Sequence, residues 1–280
     1  MTSKKLVVAA IQISSASDIQ RNIELAEMLI DQAVDEGAQL VLLPENFAQI
    51  PSSKIKRQQA YEAIGSGPIQ EFLATKSEQK SIYLVAGSVA IASEHSHKAF
   101  SASLCFDPNG DLLARYNKIH LFDVQLPSGE SYRESNTVEA GDKAMIGSLS
   151  WGNVGMSVCY DLRFPHLYRD LAKAGADILA VPSAFTEVTG TAHWHLLLRS
   201  RAVENACFVM APAQGGAHAN GRKTYGHSLI VSPWGEVLAE AGTEPGIIKA
   251  ELNLEEIRSV RARLPSLEHD RDYVSPGVGA

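Results

Sequence analysis

The N-terminal third of the chain alternates short apolar runs with one longer amphipathic stretch. Residues 5–13, 39–43 and 82–90 are mostly apolar and are bounded by polar or turn residues, a pattern that predicts buried strands. Residues 18–36 place apolar side chains on one helical face, and Gly37 follows as a C-cap. That face comprises Ile19, Ile23, Ala26, Ile30, Ala33 and Val34.

Weaker signals continue up to residue 145. Pro68 can open a helix that runs to about residue 79, and a short helix is expected at residues 58–64 within a loop-like stretch. Residues 99–117 contain two strand-like segments on either side of Asp-Pro-Asn-Gly, which predicts a hairpin. Residues 119–145 show no clear period. We expect a long loop there, and loops of this length in compact domains tend to be functional.

The C-terminal half repeats the alternation of strands and helices. The predicted strands cover residues 145–149, 153–158, 177–181, 207–213 and 246–252, with a further hairpin at 227–241. The predicted helices cover residues 165–174, 191–206 and 253–264. Strands mixed with helices in this way indicate a layered α/β domain.

An internal repeat connects the two halves. The segment EGAQLVLLPE (36–45) resembles AGADILAVPS (174–183), and the hairpin sequence CFDPNGDLL resembles IVSPWGEVL. Two similar α/β halves would place two sheets face to face with helices outside both. We therefore expect one α/β domain over residues 1–280, although a repeat this short can also arise by chance.

Composition and charge narrow the possible partners. The 280-residue chain has a formal net charge of -7, which argues against nucleic acid as a partner. Its three cysteines, Cys105, Cys159 and Cys207, are not closely spaced, so we expect free thiols in a reducing compartment. Gln12 interrupts the first apolar run, which favours a strand over a signal peptide. No run is long enough to cross a bilayer, and we expect a cytoplasmic protein without membrane contact.

The stretch GMSVCYDLRFP, residues 155–165, contains the strongest candidate for chemistry. A short apolar strand ends at Cys159, and a helical pattern begins directly after it. A thiol at such a turn is poised to ionise, and nearby backbone amides can hold an oxyanion. The alternative is a buried cysteine that packs as a small hydrophobe. The polar neighbours Tyr160, Asp161 and Arg163 favour the reactive thiol.

A thiol nucleophile needs a base, and carboxylates supply better candidates than histidines here. His193 and His195 point to different sides of their predicted helix, and no metal or cofactor motif is present. Glu45 follows a buried strand, at the kind of strand end where catalytic groups lie in α/β sheets. Lys118 ends the first hairpin and Glu134 lies in the long loop. Taken one by one, all three could also be ordinary surface charges.

Five segments together identify a family resemblance. LPEN, YNKIHLFD, YRESN, GMSVCYDLRFP and GTAHWHLLLRSRAVENACF occur in the order found in the nitrilase superfamily of carbon–nitrogen hydrolases. The resemblance implies a catalytic triad of Glu45, Lys118 and Cys159. It implies a second glutamate, Glu134, that positions the lysine and the substrate. It also implies a four-layer αββα sandwich that forms homodimers or higher oligomers, with no cofactor.

The expected reaction is hydrolysis of a small-molecule amide through a thioester. Cys159 attacks the carbonyl carbon, and Lys118 with the backbone N–H of Tyr160 holds the oxyanion. Glu45, in a partly desolvated pocket, would hold a proton near neutral pH and would serve as acid and base.

Further segments resemble the branch that acts on deaminated glutathione: CYDLRFP, SAFTEVTGTAHWHLLLRSRAVE, YGHSLIVSPWGEV and RLPSLEHDRD. This substrate carries carboxylates, so cations should line the pocket; the candidates are Arg163, Arg222 and Lys223. Phe185 and Thr186, with Tyr160, complete the expected substrate-binding set.

Three other functions remain open from the sequence. An omega-amidase would release ammonia from 2-oxoglutaramate, and a third possible substrate class is N-carbamoyl amino acids. A non-catalytic scaffold could use the same fold. The intact set of Glu45, Lys118, Glu134 and Cys159 argues against the scaffold, because binding alone would not need all four.

Overall fold

The computed structural model of the chain describes residues 5–126 and 129–274. The predicted single domain over 1–280 extends past these ranges, since residues 1–4, 127–128 and 275–280 lie outside the described residues. The helices are α1 (Ile19–Asp35), α2 (Lys54–Gln59), α3 (Pro68–Lys80), α4 (Pro165–Lys173), α5 (Glu187–Asn205) and α6 (Glu255–Arg263). Two short 3-10 helices, Glu134–Asn136 and Cys159–Arg163, lie near the site described below.

The strands follow the predicted order. They are β1 (Lys5–Gln12), β2 (Leu40–Leu42), β3 (Tyr83–Ala92), β4 (Ala99–Phe106), β5 (Leu112–Asn117), β6 (Asp123–Gln125), β7 (Ser131–Arg133), β8 (Val138–Glu139), β9 (Met145–Leu149), β10 (Gly152–Met156), β11 (Ile178–Ala180), β12 (Phe208–Ala211), β13 (Gly215–Ala217), β14 (Lys223–Tyr225), β15 (Leu229–Val231), β16 (Val237–Glu240) and β17 (Gly246–Asn253).

Two sheets share one topology, which confirms the interpretation of the repeat. The first has the order β17-β1-β2-β3-β4-β5, with β8 beside β4. The second has the order β16-β15-β12-β11-β10-β9. In each sheet three strands run parallel, β1-β2-β3 or β10-β11-β12, and two antiparallel strands continue from the third. An antiparallel strand also pairs with the first of the three parallel strands in each sheet, β17 with β1 and β9 with β10.

Alternation along the strands produces the four layers. Val8 and Ala10 of β1 pack into a core that also contains Met156 and Ala180 of the second sheet. The intervening Ala9 belongs to a separate core, together with apolar residues of α1 and α3. Because neighbouring side chains point to opposite faces of a strand, each sheet contacts the other sheet on one face and helices on the other. Side chains of α4 and α5 cover the second sheet. The predicted αββα sandwich is therefore correct.

Two predicted helix positions were wrong, and local capping gives the reason. The short helix lies at 54–59 rather than 58–64, because the Ser53 hydroxyl accepts from the Lys56 N–H and starts it early. Helix α5 begins at Glu187 rather than at 191, because Thr186 caps it through the Thr189 N–H. The pairs β6–β7 and β13–β14 were not predicted, since three-residue strands carry almost no periodic signal.

Candidate active site

Cys159 occupies a strained turn at the end of the β10 segment. Its φ of 51° lies in the left-handed region, which non-glycine residues rarely adopt. The Cys159 N–H donates to Pro182 O at 2.9 Å and holds the turn against the next strand segment. The side chain is 6% exposed and lines a cavity. Strained backbone conformations of this kind cluster at functional sites.

Lys118 joins two carboxylates that are far apart in sequence. Its Nζ lies 2.8 Å from Glu45 Oε1, and 3.1 Å and 2.9 Å from the two carboxylate oxygens of Glu134. The Lys118 and Glu45 side chains are 1% and 4% exposed, and that of Glu134 is 14% exposed. The Phe122 N–H donates to Glu134 Oε2 at 2.7 Å and orients that carboxylate. The ammonium is thus held by two anions in a nearly dry pocket.

This pairing corrects the expected protonation of Glu45. Burial by itself raises the pKa of Glu45, but the charge and hydrogen bond of Lys118 outweigh burial, and the net effect is a lowered pKa. Glu45 is therefore an anion in the resting site, and the expectation that it holds a proton near neutral pH was wrong. Burial lowers the pKa of Lys118, yet the charges of Glu134 and Glu45 reverse this and keep it an ammonium.

The thiol is also less ready to ionise than the sequence suggested. Burial raises the pKa of Cys159, and the nearby charge of Glu45 raises it further. The positive charge of Lys118 and a hydrogen bond from the Ala184 backbone offset this only in part. Cys159 also hydrogen-bonds the Glu45 carboxylate. The resting state is a neutral thiol beside an ionised carboxylate, and such a thiol would have to pass on its proton before it could act as a nucleophile.

A buried aspartate joins the nucleophile turn to the lysine segment. Asp161 Oδ2 accepts from the Val158 N–H at 2.8 Å and from the Tyr116 hydroxyl at 2.7 Å. Its Oδ1 accepts from the His120 N–H at 3.0 Å and lies 2.7 Å from His120 Nδ1. From the sequence, Asp161 was only a polar neighbour of Cys159. No sequence signal separated it from a surface residue, because its partners Tyr116 and His120 lie 45 and 41 residues away along the chain.

The cavity beside Cys159 has a volume of about 210 Å³. All nine predicted site residues line it: Glu45, Lys118, Glu134, Cys159, Tyr160, Arg163, Phe185, Thr186 and Arg222. Lys223 does not, because it lies on the exposed side of the short strand β14. Tyr160, whose N–H is the expected oxyanion donor, lies in the short 3-10 helix Cys159–Arg163.

The arginines differ in how they are held. Arg222 donates to Ala184 O and lies over the Tyr132 ring at 5.4 Å. Arg163 lies over the rings of Tyr160 and Phe185 at 5.9 Å and 5.5 Å. Two more arginines that the sequence analysis did not select, Arg57 and Arg133, also line the cavity. Arg57 lies in α2, whose position was predicted wrongly, and Arg133 lies in β7, which was not predicted. No sequence pattern therefore indicated either arginine.

The histidines take other positions. His195 Nε2 and His227 Nδ1 lie 3.0 Å and 3.1 Å from Glu240 Oε1, and His193 contacts Arg163 at the surface. Within the described ranges, no group of three or more His, Cys, Asp or Glu side chains is placed to hold a metal ion. The same part of the chain contains no helix with the length and apolar character needed to cross a membrane.

Comparison with known proteins agrees with this geometry. The carbon–nitrogen hydrolase family matches residues 7–262. A protein named deaminated glutathione amidase from Synechocystis is 47% identical over 270 residues, which cover 95% of this chain and 98% of the relative. Human omega-amidase NIT2 is 36% identical, with coverage of 97% and 96%.

A solved structure matches the whole fold. The C. elegans NitFhit protein superposes with a TM-score of 0.89 at 34% identity, and the match covers 97% of this chain and 66% of that longer one. The expected hydrolase of non-peptide carbon–nitrogen bonds is confirmed by these matches. The five sequence segments had indicated a resemblance to this family, and the chain belongs to the carbon–nitrogen hydrolase family.

Proposed function

We propose that the protein hydrolyses the amide bond of deaminated glutathione and releases 2-oxoglutarate and cysteinylglycine. The observation that carries this proposal is the cluster of Glu45, Lys118 and Glu134 beside Cys159, in a cavity lined by arginines. The name of the 47% identical relative supports the choice of substrate. Arginines suit this substrate because each of its two ends is a carboxylate.

In the acylation step, Cys159 Sγ forms a bond to the amide carbonyl carbon while its proton passes to Glu45. The carbonyl oxygen gains the negative charge, and the Lys118 ammonium with the Tyr160 N–H stabilises it. The carbon–nitrogen bond then breaks, and Glu45 returns the proton to the leaving nitrogen. The acyl group remains on the sulfur as a thioester. Glu134 keeps Lys118 charged and in place throughout.

In the deacylation step, Glu45 takes a proton from water, and the resulting hydroxide equivalent attacks the thioester carbon. The same two donors hold the second oxyanion. The carbon–sulfur bond breaks, and the sulfur regains the proton that Glu45 carries, so the thiol and the carboxylate are both restored. No metal or cofactor takes part in either step.

The second candidate is an omega-amidase that acts on 2-oxoglutaramate. The 36% identity to human omega-amidase NIT2 favours it as the runner-up. Its substrate is smaller and carries one carboxylate, whereas four arginines line the cavity here. This excess of positive charge supports the larger dianionic substrate.

We further propose a single-domain homodimer or higher homo-oligomer in a reducing cytoplasm. One core draws on both sheets, which supports a single folding unit. Apolar side chains that are more than half exposed on α5 and the β15–β16 turn, Leu196, Val203 and Trp234, support association between copies. The three cysteines are free thiols, as the nucleophile must be.

A turnover assay tests the proposed function. Wild-type protein should give its highest kcat/KM on deaminated glutathione, ahead of 2-oxoglutaramate and of N-carbamoyl amino acids. Cys159→Ala should remain folded, lose turnover and show no acyl adduct by intact-mass spectrometry. Cys105→Ala is the matched control, because that thiol is buried away from the cavity. This variant should keep both turnover and the acyl adduct. Higher kcat/KM on 2-oxoglutaramate would favour the omega-amidase, and amide hydrolysis by Cys159→Ala would refute the thioester route.

A further inference from the structure

Two arginines of the cavity hold buried donors without an acceptor. The Nε atoms of Arg57 and Arg222 are inaccessible to solvent, and neither has a hydrogen-bond partner among the described residues. Both side chains line the cavity that contains Cys159. Buried donors in folded proteins are nearly always paired, and leaving a charged donor unpaired is especially unfavourable. A bound anion near these guanidinium groups would offset their positive charge.

The charges that line the cavity also favour an anionic ligand. Its lining includes five cationic side chains, Arg57, Lys118, Arg133, Arg163 and Arg222, and two carboxylates, Glu45 and Glu134. Both carboxylates already bind Lys118. Over residues 5–126 and 129–274, none of the four arginines forms an ion pair with a carboxylate of the chain. A substrate with two carboxylates would therefore meet guanidinium groups that form no ion pair within these residues.

Arg222 belongs to the side of the cavity that holds the acyl group. It donates to Ala184 O, and the Ala184 backbone in turn hydrogen-bonds the Cys159 sulfur. The group bound to that sulfur in the thioester must lie beside this peptide. Arg222 thus stands next to the acyl portion, where the 2-oxo acid carboxylate of the proposed substrate would be.

Arg57 lines the cavity together with Asn46, the residue that follows Glu45. In the proposed reaction Glu45 delivers the proton to the leaving nitrogen. A smaller pocket adjoins this wall and shares both Asn46 and Arg57 in its lining. Substituents on the leaving nitrogen would extend along this wall and reach the Arg57 guanidinium.

We propose that Arg57 binds a carboxylate on the amine portion of the substrate, so that the enzyme selects amides that are anionic on both sides of the scissile bond. This inference rests on the proposed function and adds the chemical class of the leaving group. Arg57 is a binding residue and takes no part in proton transfer. It explains how the enzyme separates cysteinylglycine amides from 2-oxoglutaramate, whose leaving group is ammonia.

The test uses a matched pair of substrates: deaminated glutathione and its analogue with the glycine carboxylate converted to an amide. Wild-type enzyme should prefer the free acid by about 10- to 100-fold in kcat/KM, as expected for a charged hydrogen-bonded pair. Arg57→Gln should abolish that preference, chiefly through a higher KM for the free acid. Its kcat/KM should fall by a smaller factor on 2-oxoglutaramate than on the free acid. Arg57→Lys should restore part of the preference, because it retains charge without the planar fork.

Lys56→Gln is the matched control, because it removes one positive charge from the same helix at an exposed position outside the cavity. It should leave the preference intact. Arg222→Gln should raise KM for all three substrates. The inference is overturned if folded Arg57→Gln still prefers the free acid, or if it loses activity on 2-oxoglutaramate to the same degree. Wild-type enzyme that does not turn over deaminated glutathione would overturn the proposed function itself and this inference with it.

Discussion

The hydroxyl of Tyr116 donates to Asp161 across 2.7 Å, and this contact joins the segment that carries Lys118 to the turn that carries Cys159. Tyr116 lies two residues before the lysine, and Asp161 lies two residues after the cysteine. Both side chains are completely buried. Lys118 and Cys159 are therefore connected through the protein interior as well as across the cavity.

Replacement of Asp161 should damage both stability and catalysis. Asp161→Asn replaces one acceptor oxygen by an amide that faces existing donors, so we expect a loss of about 3 kcal/mol in the free energy of unfolding. Tyr116→Phe removes one donor and should lose about 1 kcal/mol. Urea unfolding and kcat measured on the folded fraction check this. Equal stability losses in the two variants would show that Asp161 contributes no more than its contact with Tyr116.

Removal of Lys118 and removal of the Glu45 charge should have different consequences. Lys118→Met leaves the carboxylates of Glu45 and Glu134 buried without a cation and should destabilise the fold by about 3–5 kcal/mol. Glu45→Gln loses its own ion pair but retains the pair between Lys118 and Glu134, so it should lose less stability than Lys118→Met. It should still lose at least about 100-fold in kcat, because it removes the general base. Thermal unfolding and steady-state kinetics distinguish the two variants. Normal turnover by Glu45→Gln would show that Glu45 is not the general base.

The lowered pKa of Glu45 sets the direction of the pH dependence. Its folded-state pKa lies below the ordinary 4.5, so the ion pair with Lys118 stabilises the protein above pH 4.5 and is lost as pH falls through the folded pKa. Stability of wild type should therefore fall on acidification below pH 4.5, and that of Glu45→Gln should fall less. The acid limb of kcat/KM should likewise lie below pH 4.5. An acid limb near neutral pH that disappears in Glu45→Gln would contradict this assignment.

A glycine beneath Glu45 offers a geometric test. A Cβ at Gly87 would lie 2.2 Å from Leu43 O and from the backbone of Pro44, which directly precedes Glu45. Gly87→Ala should lose about 1–3 kcal/mol by overpacking and should reduce kcat, because it displaces the base. Gly246→Ala is the matched control in another strand, since nothing lies within 4 Å of its Cβ position. Unchanged kcat in Gly87→Ala would show that the strand end tolerates displacement.

The fold could be predicted from the sequence wherever local signals are strong. The boundaries of β1, α1 and α3 were predicted within about two residues, because apolar runs, helical periodicity and an N-terminal proline are properties of neighbouring residues. The repeat at 36–45 and 174–183 predicted equivalent strands, β2 and β11, and both lie second in their parallel sets. Short elements such as β6 and β13 carried too few residues to predict.

The catalytic candidates were predictable by residue type and motif, but their protonation states were not. The sequence predicted that Glu45 can keep a proton near neutral pH and that Cys159 is poised to lose one. The structure indicates the opposite protonation state for both groups. Lys118, which is 73 residues away along the chain, binds the Glu45 carboxylate and favours its ionised form, whereas the thiol stays neutral. A pKa depends on which charges lie within a few ångströms and on how much water remains, and neither follows from spacing along a chain.

The sequence by itself determined the layered α/β architecture, the family and the four candidate catalytic residues, since each is encoded in local patterns or motifs. Only the tertiary structure decided that Asp161 connects two distant segments and that Arg57 lines the cavity beside Cys159. It also decided that Lys223 does not line the cavity. Such facts depend on contacts between residues far apart along the chain, and packing of the two sheets against each other creates those contacts.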